Sequence, residues 1–205
     1  MVIHRAFDEV LSSWSHVAVL RAILDSAVGL SGNEIARASG MQPRSALKAL
    51  TSLEELGIVR RQRGGRDHLF TLNRDHFLTR EGLLPLYQAE QKYRSAIEDS
   101  LVTILKGHVV SAVIFGSVSR KQETPQSDLD LCCIVSSENK KGVVQERLAS
   151  EAVPLYRKFG VKLAPVFFSL SEMKKKKRSG LIREIRKEGK VIVGRRVEEL
   201  LRGTT

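Results

Sequence analysis

The chain has 205 residues, 42% of them hydrophobic and 28% charged, with 34 Lys and Arg against 23 Asp and Glu for a formal net charge of +11. That length admits one large domain or two small ones, and no run approaches the roughly 20 consecutive apolar residues a membrane span needs. The opening MVIHRAFDEV has neither the basic start nor the apolar middle of a signal peptide, so a cytoplasmic, non-membrane protein is expected, and the basic surplus points to a polyanionic partner.

In chain order, Val17, Leu20 and Leu24 stand at the spacing of one helix face. In LSGNEIARASG, Ser31 and Glu34 stand in the relation of a capping box, and Gly40 suits the end of that short helix. A third helix follows, with Pro43 in its first turn, Leu47, Leu50 and Leu53 predicted to face the core, and Gly57 as a left-handed stop. IVRRQRGGRDHLFTL then reads as a hairpin turning at Gly64-Gly65. From Arg80 to Leu105, Leu86, Ala89, Tyr93, Ile97, Leu101 and Ile104 fall at three- and four-residue steps, predicting a long connecting helix. Beyond it VVSAVIF, LDLCCIV and VKLAPVFF, and later Val191 to Val193, predict a small sheet with helices packed on it. The cysteines, Cys132 and Cys133, are adjacent on one of these strands and point to opposite faces, so neither a disulfide framework nor a thiolate metal site is suggested.

NEIARASGMQPRSALKALTSLEELGIVRR, with the hairpin after it, resembles the winged helix-turn-helix domain of bacterial and archaeal repressors over about residues 14 to 75. With the leucines inward, Arg44, Ser45, Lys48 and Thr51 face outward from the helix that such domains insert into the DNA major groove. Arg60, Arg61, Arg63 and Arg66 crowd the hairpin tip, where they suit phosphates or a narrow minor groove. The alternative is a protein-binding winged helix with solvated arginines.

The most specific stretch is FGSVSRKQETPQSDLDL. Gly116-Ser117 follows an apolar run, ten residues intervene, and Asp128-Leu129-Asp130 opens the next. Residues two apart on a strand share a face, so the two carboxylates stand side by side while Leu129 and Leu131 turn inward; such a pair of hard oxygen ligands favours Mg²⁺. A glycine turn lets backbone approach a phosphate, and Ser117 adds a hydroxyl. The stretch resembles the minimal members of the polymerase-β-like nucleotidyltransferase superfamily, with Lys121 where a glycine is usual. That resemblance implies Asp128 and Asp130 as metal-binding catalytic residues, Gly116 and Ser117 on the triphosphate, and Arg120 near a phosphate oxygen. It also implies a third carboxylate on a following strand, yet VKLAPVFF contains no acid.

The expectation is an α+β chain: a winged-helix DNA-binding domain at 1–79 (three helices plus a β-hairpin), a connecting helix at 80–106, and a minimal nucleotidyltransferase domain at 107–205 with a mixed sheet and packed helices. Two functions stay open. One is Mg²⁺-dependent transfer of a nucleoside monophosphate from a nucleoside triphosphate to an acceptor hydroxyl. The other is a DNA-binding regulator or antitoxin-like protein that binds nucleotide without turnover. The basic run Lys174 to Arg178 reads either as a site for an RNA or DNA acceptor or as a solvated helix start, and homodimerisation through the connecting helix stays open. The five histidines show no ligand spacing.

Overall fold

The computed structural model describes residues 3–64 and 67–202. It divides into two compact units, Met1–Lys92 and Tyr93–Thr205.

In the first unit, α1 (Ala6–Val10) and α2 (Trp14–Leu24) are followed by β1 (Leu30–Ser31), α3 (Gly32–Ala38), α4 (Pro43–Glu55), β2 (Val59–Gly64) and β3 (Asp67–Leu72). The capping box at α3 forms as expected: the Glu34 amide donates to Ser31 Oγ at 3.3 Å, and the Ser31 amide donates to Glu34 Oε2 at 2.8 Å. The Ser31 amide, and then its hydroxyl donating to the same Glu34 oxygen, hold the Glu34 carboxyl below its usual range. Gly40 (φ 66°) and Gly57 (φ 76°) occupy the left-handed region at the ends of α3 and α4, and Pro43 opens α4. The sheet order is β1-β3-β2, wholly antiparallel, with Val59 opposite Leu72 and Gly64 opposite Asp67. The hairpin expected at Gly64-Gly65 is thus present up to Gly64 and from Asp67; Gly65 and Arg66 lie outside the described residues.

Two helix faces differ from the expected ones. Leu47 is 46% exposed, while Ala46, Ala49, Leu50 and Leu53 are buried. The small alanines let α4 approach its neighbours closely, so the inward stripe runs through 46, 49, 50 and 53 and turns Leu47 outward. On α2, Val17 is likewise exposed and Leu24 half-buried, with His16, Val19, Leu20 and Ile23 inside. The His16 ring lies 3.1 Å from the Glu9 carbonyl and 3.2 Å from the Val10 carbonyl through Nδ1. Carbonyls only accept, so Nδ1 carries the proton and the buried ring is satisfied.

After one π-helical turn at Thr79–Leu83, α5 (Leu84–Leu105) begins in the first unit, where Arg21 and Glu90 pair at 2.7 Å and Tyr87 donates to Asp25. Its later residues belong to the second unit. There follow β4 (Ser111–Ile114), α6 (Gly116–Ser119), β5 (Leu129–Val135), α7 (Asn139–Phe159), β6 (Leu163–Ser169), α8 (Leu170–Lys175), α9 (Gly180–Glu188), β7 (Lys190–Gly194) and α10 (Val197–Arg202). The strands form one mixed sheet ordered β6-β5-β4-β7, with β5 and β6 parallel and the other pairs antiparallel. Parallel β5 and β6 require a crossover, and α7 supplies it.

The sheet separates two cores. Leu129, Leu131, Cys133 and Val135 pack on one side with α7 and the end of α5; Cys132, Ile134, Val113 and Phe115 pack on the other with α8, α9 and α10. This period-two alternation carries the whole of β5. The cysteines therefore point to opposite faces as expected, and burial pushes both thiols up to about 12. Among the described residues no helix is long and apolar enough to cross a membrane.

Candidate functional site

β4 ends at Ile114, and the chain turns sharply into α6 at Gly116, which is buried with φ 71°. The Phe115 amide donates to the Asp130 carbonyl at 3.1 Å, so the turn is stitched to the entry of β5. An ideal Cβ on Gly116 would lie 1.9 Å from Asp130 Oδ2 and 2.8 Å from its Cγ. The side chain of Asp130 thus occupies the space that glycine leaves, and any other residue at 116 would displace it.

Asp128 is exposed and Asp130 half-buried, with buried Leu129 between them. Their parity is that of Cys132 and Ile134, which puts both on the α8–α10 side of the sheet, while Leu129 and Leu131 face α7. Among the described residues neither carboxylate accepts a hydrogen bond or forms a salt bridge. Burial first, then the charges of Glu184 and Asp128, push the Asp130 carboxyl above its usual range, and Arg120 pulls the other way. The connecting loop is closed locally: the Gln122 amide donates to the Ser117 carbonyl at 2.9 Å, and the Thr124 amide to Ser127 Oγ at 2.9 Å.

Arg120 stands at the end of α6, and its Nη1 bonds Glu184 Oε1 at 2.9 Å and Glu188 Oε2 at 2.6 Å, both on α9. Its guanidinium is therefore engaged by the protein's own acids, which hold its pKa above the ordinary arginine value. Glu184 and Glu188 are the residues that sequence reasoning passed over. Their spacing of four puts them on one helix face, but nothing local ties that face to a residue more than sixty positions earlier. Ser117 is half-buried beside Gly116. The two acids that flank β6 in sequence lie elsewhere: Glu151 is on α7, and Glu172 caps α8 and pairs with Lys141. Among the described residues no group of three or more His, Cys, Asp or Glu side chains is arranged to hold a metal ion.

In the first unit, Arg44, Ser45 and Lys48 are exposed on α4 and line a shallow cleft of about 770 Å³ with Leu47 and Thr51. The hairpin arginines divide between two faces. Arg60 pairs with Asp75 at 2.8 Å, and Arg61, on the opposite face, lies 3.6 Å from Glu54 and over the Phe70 ring. Arg63 shares the Arg61 face and is exposed, with no ion pair among the described residues.

A mixed four-stranded sheet with a glycine turn leaving its first strand and an Asp-x-Asp entering its second marks the C-terminal part as a nucleotidyltransferase-type fold. The family model described as "Nucleotidyltransferase domain" matches residues 94–193, so the C-terminal part carries a nucleotidyltransferase domain, which implies a nucleotide substrate. No curated protein matches the chain. Among solved structures the chain is similar to a toxin–antitoxin with AMP-PNP, at 15% identity over 51% of this chain and 80% of that one, TM-score 0.34. It is also similar to a mutant of the toxin–antitoxin MntA-HpeT, at 13% identity over 51% and 80%, TM-score 0.33. A third is TrmBL2, described as an archaeal chromatin protein with a novel mode of DNA binding, at 15% identity over 88% and 72%, TM-score 0.29. Likeness at this level assigns no function.

Proposed function

We propose that the C-terminal domain transfers a nucleoside monophosphate from a nucleoside triphosphate to an acceptor hydroxyl, the acceptor oxygen bonding to the α-phosphorus as the bond to the β-phosphate breaks, pyrophosphate leaving and the hydroxyl proton passing to solvent, with Asp128 and Asp130 as its catalytic, metal-holding carboxylates. The observation that carries this reading is the fit between Gly116 and Asp130, where a Cβ would stand 1.9 Å from Oδ2. The glycine turn and the Asp pair form one unit, and both carboxylates lack a partner of their own among the described residues.

The residues fit Mg²⁺, which binds through one or two carboxylates together with substrate phosphates rather than through an all-protein cage. A bound divalent ion would neutralise charge developing on the transferred phosphoryl group. The chain's own part is positioning. Asp128 and Asp130 present oxygens from one face of β5, and Gly116 and Ser117 present backbone and hydroxyl to the phosphates. Arg120 reaches a phosphate oxygen by leaving Glu184 or Glu188.

The test is Mg²⁺-dependent incorporation of α-labelled nucleotide into acceptor, lost in Asp128→Asn. A second reading, nucleotide binding without turnover, is favoured by the acid-free β6 and by the two carboxylates on Arg120. It predicts that Mg²⁺-nucleotide raises the melting temperature of wild type but not of Asp128→Asn, while no acceptor becomes labelled.

On either reading residues 1–79, within the first unit, serve as a DNA-binding winged helix. Support comes from the exposed Arg44, Ser45 and Lys48 on α4 and from Arg63 at the hairpin. Duplex DNA binding should weaken with salt and with Arg63→Ala or Arg44→Ala, and affinity unchanged in both variants would remove this role.

A further inference from the structure

Residues 174–202 hold twelve Lys or Arg and four Glu, a surplus of eight within a chain whose net charge is +11. They form the end of α8 together with α9, β7 and α10, and the helices among them pack on the side of the sheet shared by Asp128 and Asp130. Lys174, Lys175, Lys177, Arg178, Arg183 and Lys187 are exposed, and among the described residues none of the six is ion-paired. So dense a group of like charges repels itself unless a counter-charge arrives. Arg183 and Lys187 directly precede Glu184 and Glu188, the acids that hold Arg120, so the basic pair and the acidic pair form neighbouring stripes along α9. A cleft of about 270 Å³ within it is lined by Lys177, Arg178, Arg186, Glu198, Leu201 and Arg202.

Residues 170–202 contain no Phe, Tyr or Trp. Single strands are held largely by stacking bases on aromatic rings, so a surface without them reads phosphates and shape instead. Such a surface is blind to register. An RNA presents a hydroxyl on every ribose and therefore offers an acceptor near the site in any register, whereas DNA offers free hydroxyls only at its ends.

We propose that the α8–α9 surface docks the sugar-phosphate backbone of a structured RNA, which makes RNA the acceptor class of the transferase. The choice of RNA over DNA, and with it the acceptor assignment, rests on the nucleotidyltransferase reading; the docking of a sugar-phosphate backbone on this surface does not.

The test measures binding of a labelled RNA hairpin, the DNA hairpin of the same sequence and poly-glutamate across a salt series. Wild type should bind the RNA with steep salt dependence. Lys174→Glu/Lys175→Glu/Lys177→Glu should weaken it by about tenfold or more and flatten the slope by about 0.9 for each phosphate no longer neutralised. The same variant should keep wild-type affinity for the DNA hairpin. Arg183→Glu/Lys187→Glu, on two exposed positions of α9, should behave alike and carries the test should the triple variant fail to fold. RNA affinity unchanged in both variants, an equal loss for DNA, or poly-glutamate bound as tightly as RNA would overturn the proposal, the last in favour of an acidic protein. RNA binding that depends on the basic surface, without nucleotide transfer in wild type, sinks the transferase reading alone; transfer onto RNA undiminished in both charge variants sinks the docking surface alone.

Discussion

Asp130 fills the volume that Gly116 leaves empty, its Oδ2 standing 1.9 Å from where a Cβ on that glycine would be. The turn out of β4 and the carboxylate of β5 therefore cannot vary separately.

Gly116→Ala combines this clash with a left-handed backbone at φ 71°. Strain of that kind costs about 1–3 kcal/mol. Gly107 supplies the control, because it has φ 84° but nothing within 4 Å of its Cβ position. Gly107→Ala should lose stability and keep the melting shift produced by Mg²⁺-nucleotide. Gly116→Ala should lose both, and a full nucleotide shift in that variant would separate the turn from the site.

The raised pKa of Asp130 has a stability consequence with a definite sign. A carboxyl that holds its proton more tightly folded than unfolded contributes a penalty, fully present above the folded pKa and relieved as pH falls to the ordinary aspartate value of about 3.9. Asp130→Asn removes the penalty. Denaturant unfolding should find the variant at least as stable as wild type at neutral pH, with the advantage gone by about pH 3. A variant less stable at neutral pH would show instead that the ionised carboxylate is stabilised in the fold.

Lys121 stands at φ 58°, in the region that favours glycine. A side chain there costs about 1–2 kcal/mol, offset in part by the greater unfolded freedom of glycine. Lys121→Gly should therefore stabilise by about 0.5–1 kcal/mol, read as a higher denaturant midpoint at constant slope.

The two faces of α4 can be separated by mutation. Leu50 is fully buried and Leu47 is 46% exposed. Leu50→Ala should cost about 2–5 kcal/mol and Leu47→Ala about 0.5 kcal/mol or less, measured by urea unfolding. Comparable losses would restore Leu47 to the core.

Much of the architecture was legible because it rests on local spacing. The capping box at Ser31 and Glu34, the stops at Gly40 and Gly57, the alternation through β5 and the shared parity of Asp128 and Asp130 all follow from neighbours within a few residues. Leu47 was misread because three leucines at helical spacing define two adjacent stripes, and only the neighbouring helices select the one that Ala46 and Ala49 allow to pack closely.

By itself the sequence determined which residues share a face: the carboxylate pair, the opposed cysteines and the concentration of positive charge after β6. Only the tertiary structure decided what those faces meet, including Glu184 and Glu188 across Arg120 and the fit of Asp130 into the space at Gly116. The physical reason is range. Side-chain direction repeats with the local backbone period, whereas a partner 64 or 68 residues away is set by the order of strands in the sheet and by which helices pack on each side of it.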